Sequence, residues 1–342
     1  TQGRNGSVVN PPAGDKQGYD DRAHGFDAGL RASFPLELKP GQSLVSTASL
    51  EKVGDRTPDT VEGQHLVGPL RTAVVLTCVA RPPPADAFRP AYVGTWKEMY
   101  TAASIKRNLL PGLAVPDPKV VPDLDRLERK FERIWLDHQK QWVSREMHPV
   151  ENMSDYGREI TNDVSDASLV LMLADPGGKN ETLLLRFIQK GIDYYGAVQS
   201  NSDLWIANGG HNSGRKWPII FAGLMLGNED MMKVKAAFQE DQQTYYGNGF
   251  KGQKVLWTIA PSGANVKHEE SDPAKWGAFG QGSNNGTKAD SYRKLNGPSW
   301  VGEALAARIM GAVALWNHQE FFDYVDRWCE EEKPKFSDPF AV

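Results

Sequence analysis

The sequence predicts a mainly α protein in which antiparallel helical hairpins follow a small β-unit. Near Thr95 the spacing of apolar residues changes from alternation to steps of three and four. Beyond that point, apolar-faced segments are separated by turn clusters such as Pro176-Gly177-Gly178 and Gly227-Asn228-Glu229-Asp230. One polar turn, Asn208 to Lys216 (NGGHNSGRK), runs directly into the apolar stretch Trp217 to Leu226.

Taken in order, residues 1–30 are polar and Gly-rich and are expected to form an N-terminal arm on the surface. Residues 31–94 are expected to be a small β-unit with a linker. Ser33 to Leu38 and Ser43 to Leu50 read as short strands around the Pro40-Gly41 turn, and Thr72 to Val79 reads as a continuous β-branched strand of the buried kind. Pro82-Pro83-Pro84 ends that unit. The body, residues 95–342, is expected to be helical: a long amphipathic helix over Leu124 to Val143, then Arg158 to Ala174, Glu181 to Val198, Lys216 to Leu226, Met231 to Tyr245, Trp300 to Trp316 and Glu320 to Trp328. Ser213 and Pro218 suit the start of the fourth of these, as cap and first-turn residue. Residues 247–298 read as long loops with a short strand at Val255 to Ile259. Stacked hairpins of this kind give a bundle, a solenoid or an α/α toroid.

Composition narrows the function. A formal charge of −4 over 342 residues leaves no basic stripe for nucleic acid. No apolar run reaches the roughly 20 residues a membrane span needs. The two cysteines, Cys78 and Cys329, give no disulfide framework and read as two buried thiols. CxxC, HExxH, the phosphate-binding GxxxxGK[ST] pattern and a dinucleotide fingerprint are all missing, so no cofactor and no metal are expected. Ten Trp, ten Tyr and 33 Gly tilt the composition toward carbohydrate, whose C–H faces stack on aromatic rings. The Gly/Asn/Pro/Asp-rich start at Thr1, with neither Met nor signal peptide, fits a processed chain that is secreted or periplasmic.

Four stretches carry side chains suited to a site. In NGGHNSGRK, His211, Asn212, Arg215 and Lys216 sit at a helix mouth, where free N–H groups favour anions. His148, Asn152, Tyr156, Arg158 and Glu159 lie where a loop meets the next helix. Arg89, Tyr92, Trp96 and Lys97 form a polar-aromatic cluster in the linker. In Asp290-Ser291-Tyr292-Arg293-Lys294, Arg293 next to Tyr292 suggests a phenol whose ionisation is favoured. Tyr156 and Tyr246 are alternatives to Tyr292 as a proton carrier. Asp155, Glu159, Asp163 and Glu303 are available as a carboxylate pair for a glycoside hydrolase. A non-catalytic sugar-binding protein would need only the aromatic and polar cleft.

Over residues 95–330 the chain resembles the alginate-lyase-type polysaccharide lyases with α/α toroid folds. The order of Asn152 in NMSDYG, His211 in GGHNSGRK and a downstream tyrosine is most similar to polysaccharide lyase family 38. The resemblance implies an α/α toroid-like barrel that cleaves an alginate- or glucuronan-type polymer by β-elimination without a metal. It implies that Asn152, His211 and Arg215 hold the substrate carboxylate and that Tyr292 and His211 move protons. Arg89, Tyr92, Lys97, His148, Tyr156, Glu159, Asn212, Lys216, Tyr246 and Arg293 would bind the sugar chain.

Overall fold

The computed structural model describes residues 3–57, 60, 67–261, 267–274 and 286–332. Parts of the loop region expected over 247–298, residues 262–266 and 275–285, and the end of the expected helical body beyond 332 therefore lie outside the described residues.

The protein is rich in helix and carries a small antiparallel sheet. Strands β1 (Ser7–Val9), β2 (Ser43–Ser49) and β3 (Leu70–Thr77) pair in the order β1-β2-β3, with Val8 opposite Val45 and Val45 opposite Val75. β1 comes from the stretch expected to be a surface arm, which is instead built into the body. Tyr19 is fully buried, and the buried Gln17 donates to the carbonyls of Asp20 and Ala23 while accepting from the amides of Tyr19 and Asp20. A polar segment packs inside when its side chains satisfy its own backbone, as here. Ser33 to Leu38 forms no strand. β3 is an edge strand, not a central one, and Val74 and Leu76 are exposed on its outer face.

α1 (Leu124–Glu132) starts on Asp123, whose carboxylate accepts from the Arg126 amide, and buries Leu127 and Phe131. It ends eleven residues before the expected Val143, because Arg133 is extended and Ile134 to Gln139 are all buried. A surface helix buries one stripe only, so a run buried at every position must leave the helix and thread inward. α2 (Gly157–Leu171), α3 (Glu181–Ser200) and α4 (Lys216–Leu226) follow the expected spans closely. α4 is apolar almost all round and correspondingly buried, and it closes on Gly227 in the left-handed region. The expected helix from Met231 to Tyr245 is divided into α5 (Glu229–Met232), α6 (Gln239–Gln243) and strand β4 (Thr244–Tyr246), which pairs with β5 (Val255–Trp257). α7 (Gly286–Ile309) begins inside the expected loop region and runs through Pro298, α8 is Val313–Trp316, and α9 is Gln319–Glu332. Cys78 and Cys329 are free and only half-buried. Among the described residues no helix is long and apolar enough to cross a membrane.

Contacts fix the helix directions. Gly214 lies against Thr161 and the Trp217 indole donates to Ser168, so α2 and α4 run parallel. Gly302 packs on Ser165 while Gly157 packs on the Gly210-His211 backbone near Asn296, so α7 runs parallel to them. α3 returns antiparallel to α4, with the Phe187 and Phe221 rings 5.0 Å apart and Gly191 against Pro218 and Ala222. α9 returns along α7, with Trp328 on Gly297 and Asp326 paired to Arg308 at 2.7 Å. The starts of α2 and α4 consequently share one end of the body with the NGGHNSGRK turn.

The closest crossing in this framework gives a direct check. A methyl group on Gly191 would stand 2.2 Å from the Pro218 carbonyl and 2.4 Å from the Ala222 Cβ. Gly191→Ala is expected to destabilise the protein by about 1–3 kcal/mol through overpacking, measured by urea unfolding; unchanged stability would show that α3 and α4 are not held this tightly.

Candidate active site

The turn between Asn208 and Arg215 is clamped by two helices, α6 and α7. From α6, the Gln239 side chain accepts from the Asn208 and Asn212 amides, and Gln243 donates to the Gly209 carbonyl at 2.8 Å. From α7, Asn296 donates to the same carbonyl and to the Gln243 side chain, both at 2.8 Å. Glu240 accepts from the Gly214 amide at 2.5 Å. Ser213 does not cap α4 as expected; its hydroxyl accepts from Gln239 and from the Trp300 indole instead. The glycines are needed for closeness: a Cβ on Gly210 would lie 2.7 Å from the Tyr156 hydroxyl and 3.0 Å from Asn296 Oδ1, and one on Gly209 would lie 3.0 Å from the Tyr292 ring.

Beneath the turn is a fully buried ionic network. Arg215 Nε donates to Asp137 Oδ2 at 2.8 Å, and its Nη1 donates to the carbonyls of His211 and Ser213. His148 Nε2 meets Asp137 Oδ1 at 3.1 Å, and its Nδ1 meets the Ser154 carbonyl at 2.9 Å. Burial by itself would raise the Asp137 carboxyl, but the charge of Arg215 and the His148 hydrogen bond outweigh it and hold the group well below the usual carboxylate range.

Above the turn the side chains that face outward are His211, Tyr156 and Tyr292. The Tyr156 ring packs edge-on against His211, with centroids 4.7 Å apart, and the Arg145 guanidinium lies 5.4 Å from the centre of the Tyr156 ring. His211 Nδ1 has no hydrogen-bond partner among the described residues. Burial, then the charges of Arg145 and Arg215, lower the His211 imidazole to about 4, so it is neutral at pH 7. Burial and the adjacent Tyr292 push the Tyr156 phenol above its ordinary range. This grouping offers a neutral imidazole and two phenols beside one guanidinium, a set able to pass a proton and to meet a carboxylate.

The structure thus gathers His211, Tyr156 and Tyr292 and puts Arg215 directly underneath, out of reach of a ligand. His148 is likewise sealed in the ionic network. Asn152 is buried and donates to the carbonyls of Lys130 and Arg133, so it fastens the end of α1. Asn212 is buried, its amide donating to the Ile206 carbonyl, and Lys216 is held by Asp241 at 2.5 Å and by the Trp316 carbonyl. Glu159 is paired with Arg158. Arg293 does not serve Tyr292: consecutive helix residues point in different directions, and Arg293 lies over Trp328 near Glu331 and Glu269. Tyr246 is exposed and donates to Asp323. Arg89 is paired with Asp193 at 2.5 Å, Lys97 donates to the Ala91 carbonyl, and the buried Tyr92 hydroxyl lies between the Trp135 carbonyl and His138.

Arg145, Asp137 and Asn296 escaped the sequence reading. Asn296 had a usable signal, since Tyr292, Asn296, Ser299, Trp300 and Glu303 follow helical spacing on one face of α7. Asp137 had a weaker one, as a carboxylate directly after the apolar run Ile134 to Leu136.

Two measurements follow. Asp137→Asn leaves Arg215 buried without its counter-charge and is expected to cost about 3–5 kcal/mol in chemical unfolding, a loss that an ordinary surface pair would not produce. His138 and His211 are both lowered to about 4, from 6.5 when unperturbed. The unfolded chain therefore binds these two protons first as pH falls, so the stability contributed by the two imidazoles is present above about pH 6.5 and lost toward about pH 4, while the carboxyls of Asp166 and Glu240, raised by burial to about 6 and about 7, contribute in the opposite direction over the same range. Ring-proton NMR titration is expected to find both imidazoles neutral at about pH 5.5, and charging of either near the ordinary value of about 6.5 would contradict their neutral, buried state.

No protein-family model, no curated protein and no solved structure matches this chain, so its functional reading stands on this geometry.

Proposed function

We propose that this protein is a polysaccharide lyase that cleaves a uronate-containing polymer of alginate or glucuronan type by β-elimination, similar to polysaccharide lyase family 38. The observation that carries the proposal is the convergence of neutral His211, Tyr156 and Tyr292 on one glycine turn beside Arg145. The parallel set α2, α4 and α7, with α3 and α9 returning antiparallel, is the arrangement an α/α toroid-like barrel would use, and it supports that finer fold assignment.

In the proposed reaction Arg145, whose Nε and Nη2 are held by Asp155, offers its Nη1 to the carboxylate next to C5, and a hydrogen bond from His211 opposes the charge that builds on it. Tyr292, handing its own proton to the neutral His211, takes the C5 proton. The C5 electron pair forms the C4=C5 double bond, the C4–O4 bond breaks, and the leaving O4 receives a proton from the same tyrosine–histidine pair. Arg215 and Asn152 become positioning residues in this scheme, because both are committed to buried partners. The carboxylate-pair hydrolase is less well supported. Asp155 is bound by Arg145, Glu159 by Arg158, Asp163 by Lys130 and Ser154, and Glu303 is fully buried. Export from the cell is part of the same proposal, since an extracellular polymer requires it.

Tyr292→Phe keeps the ring against Gly209 and removes the hydroxyl. Turnover on polyuronate, followed by absorbance of the unsaturated product, is expected to fall by about 10²–10⁴-fold with little change in stability. Full activity in this variant moves proton transfer to Tyr156. Full activity in Tyr156→Phe and His211→Asn as well would remove the cluster from the mechanism.

A further inference from the structure

A cavity of about 330 Å³ opens between β3, the end of α1 and α3, away from the His211 cluster; Arg89, Arg133, Arg186 and Lys190 line one side, and Val74 and Phe131 the other. Lys190 forms the floor. It is 2 % exposed, its ammonium donates to the Arg133 carbonyl, and it lies 5.2 Å from the centre of the Trp135 ring. The three arginines are held in place by partners on their outer sides: Arg89 by Asp193, Arg133 by Glu151 and Thr72, and Arg186 by the Glu128 carbonyl at 2.8 Å. Among the described residues, the Nη2 groups of Arg133 and Arg186 have no hydrogen bond, and both residues line the cavity.

The charged groups facing Lys190 are Arg89, Arg133 and Arg186, with Asp193 already bound to Arg89 and the carboxylates Glu128 and Glu132 on α1. Burial and the nearby Arg89 and Arg186, against the opposing pull of Asp193, lower the Lys190 ammonium to about 7. The cations and carboxylates here are balanced, but Arg133 and Arg186 each keep an Nη2 group that no carboxylate takes, and a bound anion would complete them. The opposite wall is apolar and open on one side, since Val74 is 62 % exposed. A bare inorganic ion would leave that wall uncovered. A sugar acid has both parts, a carboxylate for the cations and a C–H face for the valine and phenylalanine.

We propose that this cavity is a second binding site, for the carboxylate-bearing ring of a hexuronate. It shares the acidic-sugar chemistry of the lyase reading but none of its catalytic residues, so the two fail separately. The test is calorimetric titration of the whole protein with glucuronate, glucose and inorganic sulfate. Glucuronate is expected to bind and glucose not to bind. Arg186→Ala, at the partly exposed rim, should weaken glucuronate about tenfold or more, as loss of a hydrogen bond to a charged group does. Lys190→Met should abolish this binding, measured in a His211→Asn background so that uronate held at the glycine turn does not contribute. Binding near pH 7.5 should also take up protons, seen as a heat that depends on the buffer's ionisation enthalpy, because the anion recharges Lys190. The proposal is overturned if glucuronate does not bind, if its affinity survives in Arg186→Ala, or if sulfate binds equally well.

Discussion

The pairing of Arg215 with Asp137 is the interaction on which the rest of the site depends. Two full charges with no exposure are costly to bury, and here Arg215 Nε and Nη1 and both Asp137 oxygens are hydrogen-bonded while Arg215 Nη2 has no partner among the described residues. Arg215 holds the carbonyls of His211 and Ser213, so the shape of the glycine turn is tied to the position of a carboxylate 78 residues earlier. Asp137 in turn holds His148, whose other nitrogen meets the Ser154 carbonyl just before α2. One buried ion pair thus joins the segment after α1, the entry to α2 and the entry to α4. The cost of burying it is the reason the geometry above it is so well defined.

The hydrogen bonds from α6 and α7 act on the same turn from the other side. Gln239, Gln243 and Asn296 are buried amides that pair with the turn and with each other. Glu240, beside them, is raised to about 7 mainly by burial, and Glu303 is pushed well above its ordinary range by burial and by the charge of Glu240. This polar layer is only partly satisfied: Glu240 Oε2, Asn296 Oδ1 and both Glu303 carboxyl oxygens have no partner among the described residues, and neither has the buried Nδ1 of His211. A rigid turn below and open side chains above are what preorganised proton transfer requires.

Much of the helical body was legible because α2 and α3 carry clear periodicity, α4 is a continuous apolar run, and strong breakers such as Pro176-Gly177-Gly178 and Gly227 follow α2 and α4. The failures share a cause. The first helix was drawn too long because an amphipathic pattern continues through Trp135 and His138, although those residues are buried by distant partners rather than by one helical face. The N-terminal arm looked like a tail because its polar side chains satisfy its own turns, a use that composition does not reveal. Of the site, His211, Tyr156 and Tyr292 were visible as residue types in donor-rich connections. Arg215, His148 and Asn152 looked the same in sequence and turned out to be buried supports, since periodicity does not say which cation will meet a carboxylate from another element. The separation of Arg89 from the His211 turn was invisible for the same reason.

The central claim is that the bond is broken by elimination, and the most direct test is the fate of solvent oxygen. Polyuronate digested by the intact protein in heavy-oxygen water and examined by mass spectrometry is predicted to give fragments with unsaturated ends and no heavy oxygen introduced by the cleavage step. Saturated fragments carrying one heavy oxygen at each new reducing end would mean that water attacked the glycosidic bond, and would contradict the elimination chemistry assigned to His211 and Tyr292.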